Sequence, residues 1–486
     1  MFTSMILLAI FLIQLLFVGR ALLRKRREPA SRMAWAIVIL AVPIVGVGAY
    51  LLFGETYINR KRFRRMRDVQ QVIGTLPKPS TLAGTFERDV SGLPSRYAAM
   101  FRLGEKVNGF RPIGGNTGHL TKDSNDTIES LIADLDAAKH HVHVSFYIWL
   151  SDNSGLALIE ALKRAVARGV SCRAMTDNLG SHALIKSRHW KVMRESGVDT
   201  AVSLPIGPAI MGPLNGRIDL RNHRKIVVID DWITYCGSQN CADPEFRVKP
   251  KYAPWVDAVM RFEGPVARQN QFIFLSDWMT YTDEDLSAML RRPLPFKASG
   301  RSVPGIIAQV LASGPETATF SPSQIFEALI YTAREKLTIT TPYYVPNESL
   351  QAALCAAARR GVHTEIIFPS RNDSFVVAAA SRSYYLELLE AGVRIYEYRD
   401  GLLHTKSITV DGAMTLIGSA NMDRRSFDLN YESNVLLYDA ELTRDMEARQ
   451  QVYLDSSDLV ELSDVEGWST GQRLWNNTIA MLGPLL

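Results

Sequence analysis

His223-Arg224-Lys225-Ile226-Val227-Val228-Ile229-Asp230, followed by Gly237-Ser238-Gln239-Asn240, decides how this chain is read, because the chain carries it twice. The second copy is His404-Thr405-Lys406-Ser407-Ile408-Thr409-Val410-Asp411, followed by Gly418-Ser419-Ala420-Asn421, and in both copies the Gly stands 14 positions after the His. A single H-x-K-x-x-x-x-D match is weak, since an ordinary half-buried strand satisfies it. Two matches, each with G-S-x-N at one offset, indicate a duplicated unit. Residues two apart on a strand share a face, so each His is expected beside its Lys.

Outward from the motifs, the duplication continues. Before the first lie an amphipathic run, Ile128 to Ala138, a strand-like Val142 to Tyr147, and a helical pattern, Ala157 to Arg168, stopped by Gly169. Before the second lie Ile325 to Arg334, strand-like Leu337 to Tyr343, and Leu350 to Arg360, stopped by Gly361. Apolar positions at helical spacing alternating with short β-branched runs predict an α/β fold, with helices outside packed sheets. Met193 to Val198 echoes Leu389 to Val393, so each copy spans about 180 residues.

The paired motifs suit phosphodiester chemistry. An imidazole nitrogen can attack phosphorus and form a covalent phospho-His, which splits one hard displacement into two easier ones. A second imidazole can protonate the leaving alkoxide and later deprotonate the incoming alcohol. Lys225 and Lys406, with Asn240 and Asn421 and the hydroxyls of Ser238 and Ser419, are expected to hold the phosphate oxygens. A nucleophilic His needs an acceptor on its other nitrogen. Asp257, 34 residues after His223, and Glu432, 28 residues after His404, each open the apolar strand after their own motif and are assigned as the orienting carboxylates. Asp230 and Asp411 end the motif strands, where a turn or structural role competes with a catalytic one. No metal site and no cofactor are expected: neither a ligand-spaced Asp/Glu/His cluster nor a phosphate-binding Gly-rich loop is present in the sequence, and Cys172, Cys236, Cys241 and Cys355 form no zinc pattern. His140, His141 and His143 lack carboxylates at metal spacing. Arg371-Asn372-Asp373 sit where α/β sheets present strand ends to ligands, although a solvated loop suits them better, and the strand-end tyrosines, Tyr147 and Tyr343-Tyr344, suit core or rim packing better than catalysis.

Composition places this chemistry at a membrane. Met1 to Gly19 and Ala34 to Phe53 carry no charge, and each is long enough to cross ~30 Å of hydrocarbon. Basic clusters follow both segments, which two full crossings cannot reconcile with the positive-inside rule; Pro43, Gly46 and Gly48 allow a kinked or re-entrant second segment. Residues 1–67 hold 12 Lys and Arg against 2 acids, leaving 43 against 48 for the rest. That acidic body argues against nucleic acid as a partner. The first copy carries about 14 extra residues before its His, around the uncharged stretch Leu204 to Leu214, which suits a loop that dips into the membrane surface or one packed over the domain core. Trp468, Trp475, Ile479, Met481 and Leu482 suit a lipid interface or a core-packing helix. The expected organisation is a membrane anchor at 1–67, a linker at 68–110, and two catalytic domains at 111–300 and 301–486.

The motifs, complete at His223, Lys225, Asp230, His404, Lys406 and Asp411, resemble those of the phospholipase D superfamily. With the two hydrophobic segments, the length of the chain and the apolar ending Gly483-Pro484-Leu485-Leu486, the whole is similar to the bacterial A-type cardiolipin synthases. The resemblance implies packed α/β/α sandwich domains behind two membrane helices. It also implies condensation of two phosphatidylglycerol molecules into cardiolipin and glycerol at the bacterial inner membrane, with membrane lipids as partners and His223 as nucleophile. The alternative is a membrane-bound phospholipase D that uses water as acceptor and yields phosphatidic acid.

Overall fold

The computed structural model describes residues 2–24, 29–54, 60–74, 90–205, 217, 219–292, 305–315 and 322–481. Most of the uncharged stretch before His223 (206–216) and the apolar ending at 483–486 lie outside them. The first half contributes β1 (Ile113–Leu120), β2 (His141–Phe146), β3 (Ser171–Asp177), β4 (Asp199–Ser203), β5 (Ile226–Ile229), β6 (Ile233–Gly237), β7 (Trp255–Val256) and β8 (Val259–Glu263). The second contributes β9 (Ile306–Ser313), β10 (Lys336–Thr340), β11 (Tyr344–Val345), β12 (His363–Pro369), β13 (Arg394–Tyr398), β14 (Leu402–Leu403), β15 (Ser407–Val410), β16 (Met414–Gly418), β17 (Met422–Asp423), β18 (Glu432–Tyr438) and β19 (Ser457–Val460).

Strand order makes the duplication explicit. The first half runs β4-β3-β2-β5-β6-β8-β1 and the second runs β13-β12-β10-β15-β16-β18-β9, the same path in the same sense. β1 and β9 pair antiparallel and join the halves into one sheet. In each half three strands, β2-β3-β4 and β10-β12-β13, are parallel and fed by crossover helices, which the apolar periodicity marks, and β19 adds antiparallel to β13 at the edge. Those helices begin on side-chain caps: Asp152 accepts from Gly155 N for Asn153–Ala167, and Asn347 accepts from Leu350 N for Glu348–Arg359. Both stop where a glycine takes φ +88°, at Gly169 and Gly361. The sheets also meet face to face. Ile226, Val228 and Met260 share one core with Ile417, Val435 and Leu437, so the motif strands lie back to back across the molecule.

Two expectations change. The first apolar segment is a single helix, Phe2–Leu22, long and apolar enough to cross a membrane. The second is not a spanning helix: it breaks at Val42-Pro43 into Pro29–Ala41 and Pro43–Ala49, continued by Tyr50–Gly54. Proline removes a helical N–H and clashes with the preceding turn, so the break falls where the sequence puts it. The pieces fold back on the first helix, with Gln14 donating to Ile39 O at 2.7 Å and Tyr50 packed edge-on against Phe17 and Trp35. Among the described residues, one helix is therefore of spanning length, and the second segment is the kinked one that Pro43 allowed, folded back on the first. The 68–110 stretch is also more than a linker. Its helix Ser95–Asn108 buries Tyr97, Met100 and Phe101 in the core of the second half, with Phe101 O accepting from Gln309.

Candidate active site

Each motif His stands just before its strand, on a segment that pairs with the other half of the molecule. β14 lies parallel to β7, and His404 N donates to Val256 O at 2.8 Å, so the next residue, Asp257, arrives beside the His404 ring. The mirror arrangement bridges Asn222 to Tyr431; His223 N donates to Tyr431 O at 2.9 Å, and the next residue is Glu432. The carboxylates are therefore exchanged. His223 Nδ1 lies 3.0 Å from both oxygens of Glu432, and His404 Nδ1 lies 2.6 Å from Asp257 Oδ1. Assigning each carboxylate to the His of its own copy is corrected: the short ladders between halves set the partnership.

Ser238 and Ser419 also change place. Ser238 Oγ donates to Asp257 Oδ1 at 2.6 Å, and Ser419 Oγ donates to Glu432, which accepts from Asn430 Nδ2 as well. A hydroxyl has one proton, and these are spent on the carboxylates, so the serines hold the orienting groups instead of phosphate. Asp230 and Asp411 sit at the far ends of β5 and β15. Asp230 accepts from the backbone N–H groups of Lys139, His140 and His141. Asp411 accepts from those of Arg334, Glu335 and Lys336 and pairs with Arg96 at 2.8 Å. They tie strand entries together and take no part in the catalytic group.

Electrostatics follow from burial. Both carboxylates are ionised: burial pushes Asp257 up, but the His404 ring, Lys406 and Ser238 outweigh it and hold it at about 2, and Glu432 is lowered in the same way by His223, Lys225 and Ser419. An ionised carboxylate can only accept, so each Nδ1 carries its proton and each Nε2 offers a lone pair. Burial lowers both imidazoles, with the lysine charges adding and the carboxylates opposing; His404 falls to about 4. Burial also lowers Lys225 to about 8 and Lys406 to about 7, despite the nearby carboxylates. Their Nζ atoms donate to the backbone carbonyls of His223 and His404 at 2.8 and 2.6 Å.

His223, His404, Asn240 and Asn421 open on one cleft of about 520 Å³. Asn240 Oδ1 accepts from Ile148 N, which turns its NH2 group away as a free donor. Tyr147 stands edge-on to His223 at 5.1 Å, and Trp255 lies 4.5 Å from His404. The arrangement can do one thing directly: present a lone pair and a proton carrier to opposite sides of a phosphorus, with cations and amide donors around it.

The model of the cardiolipin synthase, PLD-like domain matches residues 131–252 and again 326–451, and a phospholipase D-nuclease N-terminal model matches 6–55. The chain belongs to this family. It is 37% identical to cardiolipin synthase A of Citrobacter koseri over 96% of this chain and 95% of that protein, and 36% identical to that of Edwardsiella ictaluri over 99% and 98%. The phosphatidylserine synthase of Haemophilus influenzae superposes over 80% of this chain and 100% of its own, with a TM-score of 0.57 at 15% identity, a likeness of fold.

Several residues of the cleft had no sequence signal. Arg221, Arg425 and Asp423 line it but belong to no repeated string. Arg224, the unspecified middle position of the first motif, is buried between Asp277 at 2.5 Å, Ser313 O at 2.8 Å and the Tyr431 ring, and thereby ties the halves behind the site. Its counterpart Thr405 donates instead to Val256 O, so only the position, not the chemistry, is repeated. His143 is structural, stacked on Phe274 and bonded to Gln271.

Proposed function

We propose that the chain is a phosphatidyltransferase that condenses two phosphatidylglycerol molecules into cardiolipin and free glycerol through a covalent phosphatidyl-histidine. The observation that carries this reading is the pair of carboxylate-backed imidazoles facing one cleft with a buried lysine beside each. In the first step His223 Nε2 attacks phosphorus, the bond to the glycerol headgroup breaks, and His404 gives its proton to the leaving oxygen. In the second, His404 takes a proton from the headgroup hydroxyl of another phosphatidylglycerol; that oxygen attacks phosphorus and the P–N bond breaks. His223 suits the nucleophile's part because its side chain is the more accessible, 12% against 4%. The substrate's negative charge raises His404 toward the protonated form the first step needs. Lys225, Lys406, Asn240 and Asn421 hold the non-bridging oxygens.

Lipid access fits the setting. Leu179 and Val248 line the cleft and are 52% and 63% exposed, an apolar mouth for acyl chains. The helix Phe2–Leu22 tethers the body at the bacterial inner membrane. Almost end-to-end similarity to the A-type cardiolipin synthases supports the product. The test is incubation of the detergent-solubilised chain with phosphatidylglycerol alone and mass identification of products. Cardiolipin and glycerol in equal amounts are expected; phosphatidic acid as the main product would replace the transferase by the hydrolase.

A further inference from the structure

The two sides of the cleft differ in the residues that cover them. On the His223 side stand Tyr147, Arg221 and Arg425. The His404 side is covered by the loop from Phe246, which stacks on Trp255 at 4.0 Å, and Trp255 in turn lies against His404. From this loop Lys249 reaches across to the second half and pairs with Asp373 Oδ2 at 2.7 Å. The other oxygen, Asp373 Oδ1, accepts from Tyr343 Oη at 2.6 Å. All three line the cleft, and the Asp373 side chain is 4% exposed. Nothing in the two His steps uses them.

We propose that Asp373, Tyr343 and Lys249 form the subsite that grips the glycerol headgroup, both as it leaves and as the second phosphatidylglycerol enters; this rests on the transferase reading above. Displacement in line with His223 places both alcohols at His404, and Lys249 belongs to the loop that covers His404, with Asp373 and Tyr343 bound to it across the cleft. A carboxylate whose two oxygens are each engaged once retains lone pairs that accept from vicinal hydroxyls. Lys249 cancels its charge. A neutral carboxylate–ammonium pair favours an uncharged polyol, whereas a bare carboxylate would recruit an ammonium headgroup such as ethanolamine. Burial and the Asp373 charge raise the Tyr343 hydroxyl, which keeps it a donor. The cluster thus supplies a preference for glycerol over water and over amino alcohols that the two His/Lys motifs lack.

The experiment measures how one phosphatidyl-enzyme divides itself among competing acceptors, a ratio independent of how fast the adduct forms. Full-length protein in phosphatidylglycerol micelles receives isotopically labelled glycerol, ethanol and ethanolamine together, and the product lipids are counted by mass. Asp373→Asn should lower the glycerol-to-ethanol ratio roughly tenfold, for the loss of a charged acceptor's hydrogen bonds; Tyr343→Phe, which releases the Asp373 oxygen that Tyr343 holds in place, should lower it by a smaller factor. Lys249→Met, at a half-exposed position, should raise the ethanolamine-to-glycerol ratio by a similar factor. Unchanged ratios in Tyr343→Phe and Lys249→Met, with melting temperatures equal to wild type, overturn the subsite, whatever Asp373→Asn does to folding. Wild-type protein that yields no transfer product with any alcohol fails the transferase reading itself, a separate outcome.

Discussion

Glu432 reaches His223 from the other copy of the repeat, with no exposure to solvent, and Asp257 does the same for His404. Removing one carboxylate should therefore disable the His of the opposite motif. Glu432→Gln leaves the His223 tautomer unfixed, and adduct formation should fall by roughly 10²–10⁴-fold even on a phosphatidyl ester of p-nitrophenol, whose leaving group needs no proton. Asp257→Asn should still form the adduct on that ester but fail to pass it to an alcohol. Intact-mass measurement of the stalled proteins reads both, and an adduct retained in Glu432→Gln but lost in Asp257→Asn would make His404 the nucleophile. At this scale the His and Lys positions were legible because the same string stands twice in the sequence, although both pairs lie just before β5 and β15 and not on a strand face. The exchange of carboxylates was not, since it depends on a two-residue ladder and a single bridge between segments about 150 and 210 positions apart, which leave no local pattern. Nor did the G-S-x-N string tell a serine bound to phosphate from one bound to a carboxylate.

The strands and crossover helices followed from periodicity and stop glycines, so the element scale was read well wherever an element buries one face. Pro43, with Gly46 and Gly48, had marked the kink of the second apolar segment, whereas Ser95–Asn108, placed in a linker, joins the second core although it lies before the first catalytic half. The last residue of each motif belongs to this scale too. Asp230 and Asp411 take φ +52° and +50° and each collects three backbone N–H groups, holding the entry to β2 or β10 against the exit of β5 or β15. Asp411→Ala should cost stability, about 1–3 kcal/mol from the orphaned donors and more from the left-handed backbone that alanine dislikes. Turnover per folded molecule, measured well below the lowered melting temperature, should stay near wild type. A hundredfold loss of turnover with an unchanged melting temperature would return the residue to the catalytic group.

For the whole molecule, duplication brings two cationic motifs to one buried place, and the empty site bears a cost that changes with pH. The unfolded chain titrates His near 6.5 and Lys near 10.4, while the folded chain titrates His404 at about 4, Lys406 at about 7 and Lys225 at about 8. Between each pair of values the unfolded state holds the proton and the folded state does not, so stability rises with pH across the window. The His404 contribution is complete above pH 6.5 and lost as pH falls toward 4. The Lys406 contribution is complete only above about 10.4 and gone below about 7. Substrate-free protein should therefore gain stability from pH 7 to 9, at about 1.4 kcal/mol per pH unit for each lysine inside its window. Lys406→Met should make the rise above about pH 7 shallower, because one of the two lysines that drive it is gone. Inorganic phosphate should flatten the wild-type profile, because an anion between the lysines lets both keep their protons in the folded state. Melting temperatures in a fixed detergent across pH 5–9 decide it. Parallel profiles for wild type and Lys406→Met, with and without phosphate, would mean that the lysines are solvated, and that their positive charge is present before any phosphodiester arrives.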